Sequence, residues 1–204
     1  MQIAVFGATG MVGSEITAEA LRRGHEVTAI SRHAVRIPGE SAAAVLAADL
    51  ADSDAVARIA AGHDVVVLAA GPSRTGGDHQ KWLDAISSAL KVMGSTRVFV
   101  VGGAGALLVN GQRLMDAPDF PPEYLAEAKT MAALYDLVKA APQTLDWTMQ
   151  APAPEIGPGE RTGQYRTADD SPAGGHISSQ DFAVAALDEI ERPAHRRSRY
   201  TVAN

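Results

Sequence analysis

Three glycines, each three residues from the next, stand near the start of the chain in Gly7-Ala8-Thr9-Gly10-Met11-Val12-Gly13. The largely apolar run Gln2 to Phe6 precedes them and a helical pattern follows at once. Strand, glycine turn and helix in that order form the context that a dinucleotide pyrophosphate requires. Gly7 turns the chain sharply out of the strand, Gly10 lets backbone approach the pyrophosphate, and Gly13 lets the helix lie close on the sheet. The free N–H groups of the helix N-terminus then face the anion, with Thr9, Met11 and Val12 completing the turn. The spacing is G-x-x-G-x-x-G rather than G-x-G-x-x-G, and a bare glycine triplet also marks ordinary turns. The flanking strand and helix supply the specificity.

The end of the next strand, Glu26 to Ile30, decides which dinucleotide fits. A carboxylate there would accept hydrogen bonds from both ribose hydroxyls and repel a 2′-phosphate. The chain instead has Ser31 and Arg32, with His33 and Arg36 just beyond. A hydroxyl and a guanidinium suit a phosphate, so NADP(H) is expected over NAD(H). Asp49 is expected at the adenine amino group and Leu50 beside the ring; a helix cap is the competing role for Asp49, which Asp52 or Ser53 could take instead. Ala70 and Gly71, after the apolar run Asp64 to Leu68, and Gly103, in Gly102-Gly103-Ala104-Gly105-Ala106, offer small residues on the nicotinamide side.

These residues need a frame, and the rest of the chain supplies one. Helical spacing runs from Met11 to Arg22, Asp54 to Ala61, Asp78 to Lys91 (with Trp82 and Leu83 as core anchors), Glu123 to Ala140 and Ser179 to Glu191. Between them lie strands at Ala43 to Ala47, Asp64 to Leu68, Arg97 to Val101, Asp146 to Met149 and Tyr200 to Val202. Alternation without internal repeat predicts an α/β fold, a Rossmann-type doubly wound parallel sheet whose ligand crevice lies at the carboxyl ends of the strands. One domain over 1–204 is expected, with a cofactor-binding core over 1–150. A Pro- and Gly-rich segment over 151–178 would form a small substrate lobe over the carboxyl edge, and 179–204 a closing helix and strand. Asp181 is read as a first-turn acid favoured by its helix dipole. Glu155, Glu160, Arg161 and the pair Asp169-Asp170 are read as solvated loop charges, and Arg196-Arg197-Ser198-Arg199 as a solvated turn.

Composition narrows the classes. The 204 residues are 46% hydrophobic and 21% charged, proportions of an ordinary globular protein. A net charge of -6 with no basic run argues against a nucleic-acid surface. The chain contains no cysteine, which excludes disulfides and thiolate chemistry, and no ligand cluster suggests a metal. No secretory leader and no membrane-length apolar run is read, so a cytoplasmic monomer or homodimer is expected.

In this combination the chain resembles the atypical short-chain dehydrogenase/reductase superfamily, in its NmrA-like, NAD(P)H-binding branch. The matching pieces are the glycine turn, Arg23-Gly24-His25-Glu26-Val27, Val101 to Gly105, Leu145-Asp146-Trp147-Thr148, Pro158-Gly159-Glu160-Arg161-Thr162-Gly163 and Ile177 to Ala183. The later pieces resemble small bacterial proteins described as NADH-flavin reductases or NAD(P)-dependent epimerases. The wider superfamily uses a Ser, a Tyr and a Lys four residues after the Tyr, the lysine lowering the phenol's pKa for proton transfer. Here Ala106 stands at the serine position, and Lys129 suits the lysine. Leu125, not a tyrosine, stands four residues before it. Tyr124 is one position off, a rotation of about 100° on a helix. Tyr135 and Lys139 have the Y-x-x-x-K spacing but lie late in the helix, away from the carboxyl edge if the helix runs antiparallel to the strands.

A carbonyl substrate needs a proton donor beside it. A flavin or quinone needs less, because the charge it receives is delocalised and can be protonated from water. The expected activity is therefore NAD(P)H-dependent reduction of flavin, quinone or a similar planar acceptor. The alternatives are a non-catalytic NADP-binding redox sensor, and a carbonyl reductase or epimerase that uses Lys129 with a non-standard acid. His176, bordering the substrate lobe, and His79 are the candidate proton donors.

Overall fold

The computed structural model describes residues 1–35, 43–73 and 76–204. Its central sheet is built from β1 (Gln2–Phe6), β2 (Glu26–Ser31), β3 (Ala44–Ala47), β4 (Val65–Leu68), β5 (Arg97–Val101), β8 (Trp147–Pro152), β10 (Arg166–Ala168) and β12 (Ser198–Ala203). Their spatial order is β10-β12-β8-β5-β4-β1-β2-β3. Every pairing is parallel except that of β10 with β12. The chain moves outward from β1 through β2 to β3, then returns to place β4 on the other side of β1. Strand order therefore reverses between the carboxyl ends of β1 and β4, which fixes where a ligand crevice opens.

The helices are α1 (Met11–Arg22), α2 (Ser53–Ala61), α3 (His79–Val92), α4 (Pro122–Lys139) and α5 (Ser179–Glu191). Period-2 alternation in β1 sends Ile3 and Val5 to one face and Ala4 and Phe6 to the other, and all four are buried. The first face packs under α1 and α5 with Ile16, Phe99, Phe182, Leu187 and Tyr200. The second packs with Val56, Ile86, Leu90, Leu134 and Trp147, from α2, α3, α4 and β8. Each such side chain contributes about 1.5–3 kcal/mol by leaving water. Trp82 and Leu83 are half-buried against the second cluster, whereas Ile86, Ala89 and Leu90 are the buried residues of α3. Gly24, at φ 81, ends α1 by sending its N–H to the Leu21 carbonyl while His25 N–H reaches Ala20.

Three departures from the sequence expectation share a cause, namely partners distant along the chain. The segment after β8 carries short strands: β9 (Glu155–Gly157) pairs with β11 (His176–Ser178), and β10 adds an antiparallel edge to the main sheet. Arg199 is no solvated charge; its side chain is 4% exposed in β12, ion-paired to Asp170 at 2.6 Å and stacked 4.1 Å from the Tyr135 ring centroid. Arg161 also leaves the solvated class, as described below. A small hairpin of β6 (Leu108–Val109) and β7 (Gln112–Arg113) turns at Asn110 and Gly111, both at positive φ. Asn-Gly is the dipeptide favoured in that turn.

Candidate functional site

Gly7 leaves β1 at φ 82, and a Cβ there would lie 2.5 Å from the Ala70 backbone nitrogen. Only glycine lets the turn touch the chain leaving β4. A Cβ on Gly13 would stand 2.2 Å from the Gly7 carbonyl oxygen, so α1 is seated directly on the turn. Gly10 is freer, its added Cβ meeting only that same oxygen at 3.3 Å. No side chain caps α1 at Gly10. Thr9, Gly10 and Met11 are exposed and Val12 is half-buried. An uncapped helix N-terminus beside exposed backbone suits an anion, and the shape of this turn is compatible with a pyrophosphate.

Ser31 ends β2, and its carbonyl accepts from Ala48 N–H. Arg32 is exposed, and no described residue hydrogen-bonds its guanidinium. Arg36 lies outside the described residues. Asp52 caps α2 by accepting from Ala55 N–H at 3.0 Å. Asp49 is thereby spared that role: it is exposed, and among the described residues its carboxylate accepts from Ala51 N–H alone, at 2.9 Å. Leu50 is buried in the cluster that holds Phe6, Ile30 and Leu68.

Across the crevice, Ala69 N–H donates to the Phe6 carbonyl at 2.9 Å; Ala70 is half-buried and Gly71 exposed, with open space where a Cβ would be. The glycines after β5 have a packing role that spacing alone does not reveal. Added Cβ atoms on Gly103 and Gly105 would lie 2.9 Å from Met131 Cβ and 2.6 Å from Ala128 Cβ, so α4 fills that space. Lys129, exposed on α4, is the chain neighbour of Ala128 and so lies level with this loop.

A phenol at the lysine is what the site lacks. Tyr124 is 59% exposed and Leu125 packs into a satellite cluster with Met115 and Ala132. Tyr135 is half-buried between Arg199 and Lys139. His176 is exposed at the start of β11, with its carbonyl accepting from Asn204 N–H. His79 opens α3, where both ring nitrogens already carry protein partners. Among the described residues no group of three or more His, Asp or Glu is placed to hold a metal.

Residues 158–164 lie against α1 and α5. Gly159 N–H donates to Gln180, whose amide donates to Glu15 at 2.8 Å; Asp181 accepts from the Thr162 hydroxyl at 2.6 Å and Gly163 N–H at 2.7 Å. Burial pushes the Asp181 carboxyl up, but these bonds and one from Asn204 outweigh it and hold it below its ordinary value. Arg161 forms a two-bond fork on Glu19, both contacts at 2.8 Å. No spacing in the sequence links these positions; the structure adds Ser178 as the cap of α5, accepting from Asp181 N–H.

A Rossmann-type sheet with a glycine cradle at its switch point defines a dinucleotide-binding protein. A family model described as NAD(P)H-binding matches residues 7–193, and the chain belongs to that family, in the NmrA-like branch of the short-chain reductase type. YwnB of Bacillus subtilis, itself uncharacterized, is 40% identical over 214 aligned positions, spanning 99% of this chain and 98% of its own. Among solved structures, a Streptococcus pneumoniae protein provisionally named an NADH-flavin reductase is 32% identical at TM-score 0.88, over 100% of this chain and 99% of that one. A Burkholderia pseudomallei protein provisionally named an exported protein is 40% identical at TM-score 0.85, over 100% of both chains. Among the described residues no helix is long and apolar enough to cross a membrane.

Proposed function

We propose that the protein is an NADPH-dependent reductase of flavin, quinone or a similar planar conjugated acceptor. One observation carries the reading: the glycine cradle is complete, while the tyrosine that a carbonyl substrate would need is absent from its place on α4. The bound dinucleotide would supply a hydride. Gly7 and Gly10, whose own N–H groups bond to the Ile30 and Gly7 carbonyls, shape the turn, and the backbone N–H groups of Thr9, Met11, Val12 and Gly13 hold the pyrophosphate. Arg32 with Ser31 holds the 2′-phosphate, and Asp49 with Leu50 flanks the adenine. Ala70 and Gly71 border the nicotinamide side, small enough to leave the ring face open to a flat acceptor, and Gly103, packed on Met131, backs that side. Protonation then comes from water, with Lys129 and His176 as the candidates to steer it. The name of the streptococcal relative supports the acceptor class, and the guanidinium supports NADPH over NADH.

The test follows NADPH and NADH oxidation with FMN, riboflavin and a small quinone, comparing wild type with Arg32→Ala. Arg32→Ala is expected to raise KM for NADPH about tenfold and leave that for NADH within about twofold, the loss of one charged hydrogen-bonding group. No turnover with any acceptor, while NADPH still raises Tm, would overturn the reductase reading in favour of a sensor.

A further inference from the structure

The connection from β4 to α3 leaves the switch point at Ala70-Gly71, beside Gly7, and must hold its shape without secondary structure over Gly71 to Ser73. The His79 side chain ties it to α4. The half-buried His79 ring places Nε2 2.8 Å from the Ser73 carbonyl and Nδ1 2.7 Å from the Thr130 hydroxyl on α4. Nε2–H donates to the carbonyl, which accepts. Thr130 is buried and its hydroxyl oxygen also lies 2.9 Å from the Ala126 carbonyl, its single hydrogen shared between that carbonyl and Nδ1, so the far anchor is itself held in place. At the near end, Gly77 N–H closes on the Ser73 hydroxyl at 3.0 Å, and Asp78 caps α3 at Gln80 and Lys81.

Resting on the reading above, we infer that His79 is a positioning residue for the nicotinamide half of the cofactor. The ring spans from the connection that leaves β4 at the crevice to the helix that bears Lys129. It thereby sets the separation between Ala70-Gly71 on one side and the Gly103 loop, packed on Met131, on the other. It acts through those two walls and touches no reacting atom. The pyrophosphate cradle stands on different contacts, Gly7 on Ala70 and Gly13 on Gly7, and does not depend on the ring.

The experiment compares two ligands that share the adenosine and pyrophosphate but differ in the nicotinamide: NADPH and 2′-phospho-ADP-ribose. Titrations are run on wild type, His79→Ala and Thr130→Val, with Tm recorded for each. His79→Ala is expected to weaken NADPH binding about threefold to tenfold, one or two lost hydrogen bonds, and to leave 2′-phospho-ADP-ribose unchanged within about twofold. Thr130→Val removes only the far anchor and keeps the ring, so it reports if the alanine variant fails to fold; it is expected to give the same selective loss at about half the size on a logarithmic scale. Equal weakening of both ligands, or of neither, overturns the positioning role while leaving the cofactor reading intact. Wild type that binds neither ligand overturns both.

Discussion

Gly13→Ala is expected to weaken NADPH binding by more than about 100-fold and to destabilise the fold by about 3 kcal/mol, the upper end of overpacking costs. The new methyl carbon would sit 2.2 Å from the Gly7 carbonyl oxygen and 2.8 Å from the Gly7 carbonyl carbon. Both neighbours are backbone, so no side chain can swing aside. Either α1 moves away from the turn, withdrawing the N–H groups of its first turn from the anion, or the turn itself deforms. Gly10→Ala separates the two effects: its added carbon meets Gly7 oxygen at 3.3 Å, a contact relieved by a shift of a few tenths of an ångström, so Tm is expected to fall far less than in Gly13→Ala while the methyl group blocks approach of the pyrophosphate. Urea denaturation and NADPH titration on the two variants check both halves. Gly13→Ala with NADPH affinity within threefold of wild type would show that this turn does not hold the cofactor.

The sequence made this turn legible because everything it needs is local. Gly7, Gly10 and Gly13 act on one another and on the helix they begin, and the contacts with Ala70 and the Ile30 carbonyl come from elsewhere. The same holds for α5, whose apolar spacing from Ser179 and first-turn acid Asp181 are local features. Sheet order emerged as a class because alternating strands and helices leave few ways to wind. What stayed hidden are pairings set by the finished fold. Arg199 reads as one member of a basic cluster until β12 carries it beneath Tyr135 and beside Asp170. Gly103 and Gly105 read as ligand-facing, yet the space above them is taken by Met131 and Ala128 of α4. The Asn110-Gly111 turn was written in the sequence, but its strands are two residues each, too short to show alternation.

The largest of these hidden pairings carries the second strong prediction. Glu19, on α1, has a side chain only 2% exposed and takes two bonds from Arg161, which lies 142 residues away. Arg23 adds another at 2.8 Å, and its own guanidinium reaches Asp188 and Glu191 on α5. The Arg161 fork foremost, aided by Arg23 and opposed by burial, holds the Glu19 carboxyl down from 4.5 to about 2. A carboxylate whose pKa is lowered by folding stabilises the protein fully above its unfolded value, and that stability is lost as pH falls from about 4.5 through about 2. Allowing for solvent at the half-exposed Arg161, the contribution is about 2 kcal/mol at neutral pH. Glu19→Gln is therefore expected to lower stability by about that much at pH 7, with the gap to wild type closing as pH drops from about 5 toward 2. The same loss frees Arg161 while Gly159 and Gly163 stay bonded to Gln180 and Asp181, so loosening should concentrate at one peptide. Trypsin should cut after Arg161 in the variant well before it cuts there in wild type. A gap that stays constant across the acid range would show that the pair contributes through shape alone and not through charge.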